Sequence, residues 1–185
     1  MISETLKEAE QKMDKAVAVT REDFAAIRTG RAHPSMFHKI NVDYYGSPTP
    51  LQQLASFTVP EARVIIISPY DQGAMGSIER AIRDSDLGVN PTDDGRTIRV
   101  VLPELTEERR KDYIKLARGT AEEGRVSVRN IRRNAKQQLD RLEKDGEVGK
   151  DDVTGAEKRL DGLTKKYVDS IDELLKHKEA ELIEV

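Results

Sequence analysis

The chain has 185 residues, of which 35 % are charged and only 4 % aromatic, with no Trp and no Cys. That composition excludes disulfides, thiol nucleophiles and Cys-ligated metals, and argues against an aromatic-rich β-sandwich or barrel. The net charge of −3 conceals residues 109–136, where 10 basic and 3 acidic side chains give +7; such asymmetry signals a polyanionic partner.

Residues 3–29 place apolar or small side chains at Leu6, Ala9, Met13, Ala16, Thr20, Phe24 and Ile27. Steps of three and four predict a helix, with Ser3 at its start and Gly30 as a left-handed C-terminal residue. Residues 31–104 change character, because all seven prolines lie there. Ile40–Tyr44 and Ile98–Leu102 alternate as strands, apart from Val101, and Phe57–Val59 and Arg63–Ile67 read as two more. Residues 46–50 and 92–95 read as turns, and Tyr44-Tyr45-Gly46 as a strand end running into the first. A short helix fits 74–86, with Ile78, Ala81 and Ile82 inward and Gly88 as its stop.

A second long helix is expected over 105–144, capped by Thr106, with a seam through Tyr113, Ala117, Ala121, Gly124, Val128, Ile131, Ala135, Leu139 and Leu142. A break at 145–149 leads to a third, capped by Asp151 or Asp152, with Val153, Ala156, Leu160, Leu163, Tyr167, Ile171, Leu174 and Leu182 along its seam. No such stripe can be buried alone. The expected fold is α+β: an antiparallel three-helix bundle (1–30 and 105–185) with a small β/α/β domain (31–104) inserted between helices one and two. The two chain crossings, at Gly30-Arg31 and Glu104-Leu105, have the look of a hinge.

Met1–Glu8 lacks the basic and apolar regions of a secretory signal, and the longest apolar run, Val64–Ile67, is far short of the roughly 18 residues that span a bilayer. A soluble cytoplasmic protein with no membrane partner is expected. His33, His38 and His177 form no ligand set. Gly146–Asp151 has the wrong spacing for a phosphate loop, and Gly73–Gly76 lacks the third glycine of a dinucleotide fingerprint. No spacing singles out a catalytic pair of carboxylates. The expectation is a protein that is not an enzyme, with no catalytic residue, metal or cofactor.

Projected at 100° per residue, Lys111, Lys115, Arg118, Arg125, Arg129, Arg132, Arg133 and Lys136 fall within an arc of roughly 100°, away from the apolar seam. Such a row suits the phosphates of a nucleic-acid backbone, since arginine can fork two oxygens at once. The bland alternative is a solvated face stabilised by ion pairs. Residues 124–136 hold five bases and no acid, so partners would have to come from elsewhere, the third helix above all. With so few aromatics, shape and backbone recognition is favoured over base stacking. The reading fails if these guanidinium groups are buried or held by the chain's own carboxylates.

Six ordered motifs then carry a resemblance: Ile27-Arg28-Thr29-Gly30-Arg31-Ala32; Tyr44-Tyr45-Gly46 with Pro48-Thr49-Pro50-Leu51; Gln53-Leu54-Ala55; Ser85-Asp86-Leu87-Gly88 with Asn90-Pro91; Leu105–Lys111; and Val128–Arg133. Across essentially its whole length the chain resembles the bacterial ribosome recycling factor family. The resemblance implies an L-shaped molecule whose small domain turns on a flexible elbow at Gly30, Arg31, Glu104 and Leu105. It implies a monomer that binds the large ribosomal subunit across the A and P tRNA sites of 23S rRNA, near an inter-subunit bridge. With elongation factor G, the family splits the post-termination ribosome and frees the mRNA. Arg132 matches a family position important for ribosome binding, and Arg129, Arg28 and Arg31 match positions near the same RNA. Together with Arg125, Arg133 and Lys136 from the stripe, these are the expected RNA contacts. The chain has no Gly-Gly-Gln, so hydrolysis of peptidyl-tRNA is not expected. The alternative from another class is a coiled-coil-like scaffold that binds protein through its helix seams, seen in sedimentation as a self-associated rod without ribosome affinity.

Overall fold

The structure, a computed structural model, describes residues 1–184. In chain order it runs α1 (Ile2–Ala25), a 3-10 turn (Pro34–Phe37), β1 (Asn41–Tyr44), β2 (Ser47–Pro50), α2 (Leu51–Leu54), β3 (Ala55–Glu61) and β4 (Val64–Pro69). A second 3-10 turn (Gln72–Ala74), α3 (Met75–Arg83), β5 (Thr92–Asp93), β6 (Ile98–Val101), α4 (Glu107–Lys144) and α5 (Lys150–Ile183) follow. Contacts divide the chain into two compact units: Met1–Phe24 with Leu116–Glu179, and Ala25–Lys115 with the residues from Ala180.

The first unit is helical. Leu6, Ala9, Met13, Val17, Thr20 and Phe24 of α1 are buried, with Ala117, Ala121, Gly124, Val128, Ala135 and Leu139 of α4. Val153, Ala156, Leu160, Tyr167 and Ile171 complete the core from α5. Val17 takes the place expected for Ala16; both fit the helical step, and the larger side chain removes more apolar area from water. The three helices converge at Gly124, where an added Cβ would lie 2.5 Å from Thr20 Oγ1 and 3.1 Å from Ile171 Cδ1. The α4–α5 pair is antiparallel: Arg118, Arg125 and Arg132 meet Glu179, Asp172 and Asp161 in reverse order.

Helix ends follow local chemistry. Thr106 Oγ1 accepts from Arg109 N at 3.1 Å, as its capping role requires. Gly146 has φ +71°, Glu147 N donates to Leu142 O and Gly146 N to Glu143 O, a Schellman ending for α4. Two expected caps are not used: Ser3 lies inside α1, and α5 begins at Lys150, ahead of Asp151 and Asp152. Gly30 is no left-handed cap either, for it is absent from the positive-φ glycines and α1 has already ended at Ala25. The next residues serve the second unit: Ile27 and Arg28 are buried, and an Arg28 Nη donates to the Pro103 carbonyl.

In the second unit, β3, β4, β6 and β5 form an antiparallel sheet in that order, and β1 and β2 form a separate hairpin. Phe37, Val42, Leu51, Ile65, Ile67, Ile78, Ile82 and Ile98 are all fully buried in its core. Helix α3 contributes Ile78 and Ile82, as its amphipathic pattern predicts. Residues 47–50, expected as a turn, are strand β2, and β5 replaces the start of the second expected turn. The turn of the hairpin is only Tyr45 (φ 51°) and Gly46 (φ 83°), a type I′ geometry. In a two-residue hairpin the closing pair Tyr44–Ser47 is hydrogen-bonded, so alternate residues face the partner strand. Pro48 and Pro50 therefore turn their nitrogens away from β1, where no amide is needed.

Candidate nucleic-acid interface

The long α4 sets Arg125, Arg129, Arg132, Arg133 and Lys136 along one face of the first unit, but they are not equivalent. Arg125 is held most firmly: its Nε donates to Asp172 Oδ1 at 2.7 Å and its Nη1 to Glu122 Oε2 at 2.9 Å, with 18 % of the side chain exposed. Its hydrogen bond to the Asp172 carboxylate raises its pKa further. Arg129 is 52 % exposed and reaches Glu122 Oε1 at 3.4 Å, a loose contact. Arg132 is 39 % exposed and donates through Nε to Asp161 Oδ1 at 2.8 Å. Arg133 and Lys136 are exposed and form no ion pair among the described residues.

The expected row therefore does have partners. Glu122 lies one turn before Arg125 on the same helix, and Asp161 and Asp172 come across from α5. Only Arg125 approaches the buried, carboxylate-held state that a phosphate contact cannot use. For the others the pairs are exposed, and an exposed ion pair is worth about 0–1 kcal/mol. A phosphate offers arginine the same charge-assisted geometry as a carboxylate, so exchanging such exposed pairs would cost little. Within the segment from Arg125 to Lys136, the open part thus runs from Arg129 to Lys136; Lys111, Lys115 and Arg118 nearer the start of α4 are exposed as well.

Arg28 and Arg31 belong to the second unit. Arg31 is exposed. Arg28, expected to touch RNA, is only 7 % exposed, and one Nη donates to the Pro103 carbonyl. That bond links the two stretches expected as the elbow. Gly30, Arg31, Glu104 and Leu105 lie outside helix and strand, all within the second unit, and Glu104 pairs with Arg63 at 3.8 Å.

The second unit holds one arrangement that its sequence did not announce. Asp71 Oδ2 accepts from Tyr44 OH at 2.9 Å and Tyr45 OH at 3.2 Å, and Oδ1 from Gly73 N at 2.9 Å. These bonds, the Gly73 amide first, hold the Asp71 carboxyl below its ordinary range, and Asp71 raises both phenols. They tie the β1–β2 turn to the loop before α3. The signal was only a tyrosine pair and a distant Asp, which sequence spacing cannot connect.

Two of the three histidines are in hydrogen bonds within the second unit: His33 Nδ1 lies 2.7 Å from Ser35 Oγ and accepts from Ser35 N, and His38 Nδ1 lies 2.9 Å from Gln52 Nε2. Among the described residues no group of three or more His, Asp or Glu side chains is placed to hold a metal ion, and no helix is long and apolar enough to cross a membrane.

The chain is 76 % identical over all 185 residues to a ribosome-recycling factor of Nocardioides sp., and 70 % identical to that of Acidothermus cellulolyticus, each matched over 100 % of both chains. A solution structure of the ribosome recycling factor superposes with TM-score 0.79 at 43 % identity, covering 100 % of this chain and 98 % of that one. A second solved neighbour has TM-score 0.70 at 40 % identity over 100 % of both chains. It is described as models for the T. thermophilus ribosome recycling factor and the E. coli elongation factor G bound to the E. coli post-termination complex. The family model for ribosome recycling factor matches residues 20–183, so this chain, with its arginine-bearing helical unit and its sheet-bearing unit, belongs to the ribosome recycling factor family.

Proposed function

We propose that this chain binds the post-termination ribosome as a monomer through the C-terminal half of the α4 stripe and, with elongation factor G, splits the ribosome into subunits and frees the mRNA. The observation that carries it is the run of exposed or half-exposed cations from Arg129 to Lys136 on one rigid helix of a recycling-factor chain. A helix of 38 residues keeps those groups in fixed register, as phosphates along a folded RNA require. The solved neighbour with elongation factor G on a post-termination complex supports the choice of partners. The proposed docking place is 23S rRNA at the A and P tRNA sites, beside an inter-subunit bridge.

Residues 1–30 with 105–185 would grip the RNA, and residues 31–104 would be the moving part, with Gly30, Arg31, Glu104 and Leu105 as its joint. The chain needs no nucleotide site of its own, since the partner hydrolyses the GTP. Arg31 is a candidate RNA contact, and Arg28 is tied to the Pro103 carbonyl.

Light scattering of model post-termination ribosomes tests this. Scattering falls when the protein, elongation factor G and GTP are all present, and stays level when any one is omitted. Unchanged scattering with the complete mixture, at concentrations where the protein co-sediments with the large subunit, overturns the splitting role.

A further inference from the structure

Arg132 differs from its neighbours in being held and yet open. The bond from its Nε to Asp161 Oδ1, 2.8 Å, is the one side-chain hydrogen bond it makes among the described residues. A guanidinium has a second donor edge, its two Nη groups, which can fork two phosphate oxygens. In Arg125 both Nε and Nη1 are engaged by carboxylates. In Arg133 and Lys136 no carboxylate among the described residues fixes the side chain. Within the segment from Arg125 to Lys136, Arg132 combines a firm anchor with an unused fork on a part-exposed side chain; Arg118, held through Nε by Glu179 Oε1 at 2.8 Å, repeats the arrangement nearer the start of α4.

We propose that Asp161 is a positioning residue for RNA binding: from α5 it fixes the Arg132 guanidinium by Nε, so that the Nη edge is presented to an rRNA phosphate. This rests on the reading of α4 as the ribosomal interface. A free arginine loses rotamer freedom when it seats on phosphate; one already held loses less, and the saving appears as affinity. A carboxylate on a phosphate-binding face also repels the ligand, so charge alone says that removing Asp161 tightens binding. Positioning says the reverse, and the two accounts differ in sign.

The experiment is the affinity of the full chain for purified large ribosomal subunits at fixed salt. Asp161→Ala weakens binding by about three- to tenfold. Asp161→Asn keeps an acceptor for Nε without the charge and stays within about twofold of wild type. In an Arg132→Ala background, Asp161→Ala has no further effect. Thermal melting of each variant matches wild type, because Asp161 is exposed. Binding of Asp161→Ala as tight as or tighter than wild type overturns the proposal, as does Asp161→Asn as weak as Asp161→Ala, or a loss that persists undiminished without Arg132. If Arg132→Ala alone binds like wild type, the interface reading itself has failed and the proposal falls with it.

Discussion

Gly124 of α4 stands so close to Thr20 of α1 that a methyl group there would lie 2.5 Å from the threonine Oγ1. Alanine ordinarily gains up to about 1 kcal/mol over glycine inside a helix. Here the added carbon also meets Ile171 Cδ1 at 3.1 Å, and the Thr20 hydroxyl is committed to Ala16 O. Gly124→Ala should therefore destabilise the helical unit by about 1–3 kcal/mol, the usual cost of overpacking. Gly162→Ala on α5, which meets nothing within 4 Å, should be neutral or stabilising. Thermal melting of the two variants checks the pair, and equal effects would contradict the packing.

The arginines of α4 should separate by function. Arg132→Ala should weaken large-subunit binding by about 1–3 kcal/mol with an unchanged melting temperature. Arg125→Ala, which strands Asp172 and Glu122, should cost about 1 kcal/mol of stability with a smaller effect on binding. Affinity and melting measured side by side give the comparison. The logarithm of affinity should also fall with the logarithm of salt, by about 0.7–0.9 per phosphate neutralised.

The Asp71 clamp has two pH limits. The carboxyl is lowered in the folded state, by Gly73 N and then Tyr44, so its contribution is present above the ordinary Asp range and lost as pH falls through the lowered value. The phenols of Tyr44 and Tyr45 are raised by the same bonds. Their contribution is present below the ordinary tyrosine value and lost as pH rises through the raised one. Wild type should thus exceed Asp71→Asn in melting temperature between about pH 4 and pH 10. The gap should close on both sides; a pH-independent gap would count against the clamp.

Glu79 of α3 behaves in the opposite sense. Its hydrogen bond with Asp93, its burial and the Asp93 charge all raise its pKa. The stability linked to its proton is present below the ordinary Glu value and lost as pH rises through the raised one. Glu79→Gln should then be more stable than wild type near pH 7 and equal to it below about pH 4. Melting curves at both pH values decide this.

Gly30→Pro should impair subunit splitting more than subunit binding, if motion at 30–31 is needed. Among the described residues other than its chain neighbours, a Cβ at Gly30 would come nearest to the Glu184 carbonyl oxygen, at 3.8 Å. Equal splitting rates for the variant and wild type would remove Gly30 from the joint.

The long helices were legible because their cores repeat every three or four residues over many turns. The end of α1 was not: Phe24 to Ile27 is a helical step, yet Ile27 and Arg28 are claimed by the second unit. Strand β2 was hidden by Pro48 and Pro50, which suggest a turn until their shared parity is considered. In the candidate site the cations of α4 could be placed by helical projection. Their partners Asp161 and Asp172 could not, because the register of two antiparallel helices depends on packing between residues far apart in sequence. Glu122 was within reach of the sequence, three residues before Arg125.

The two prolines of β2 have a consequence for the chain in a crowded cell. At those positions the outer side of β2 offers an incoming β-segment carbonyls but no N–H, so half of the ladder bonds there cannot form. The ribbon ends with two strands, and edge-to-edge growth along β2 is weakened by covalent structure alone, without help from charge.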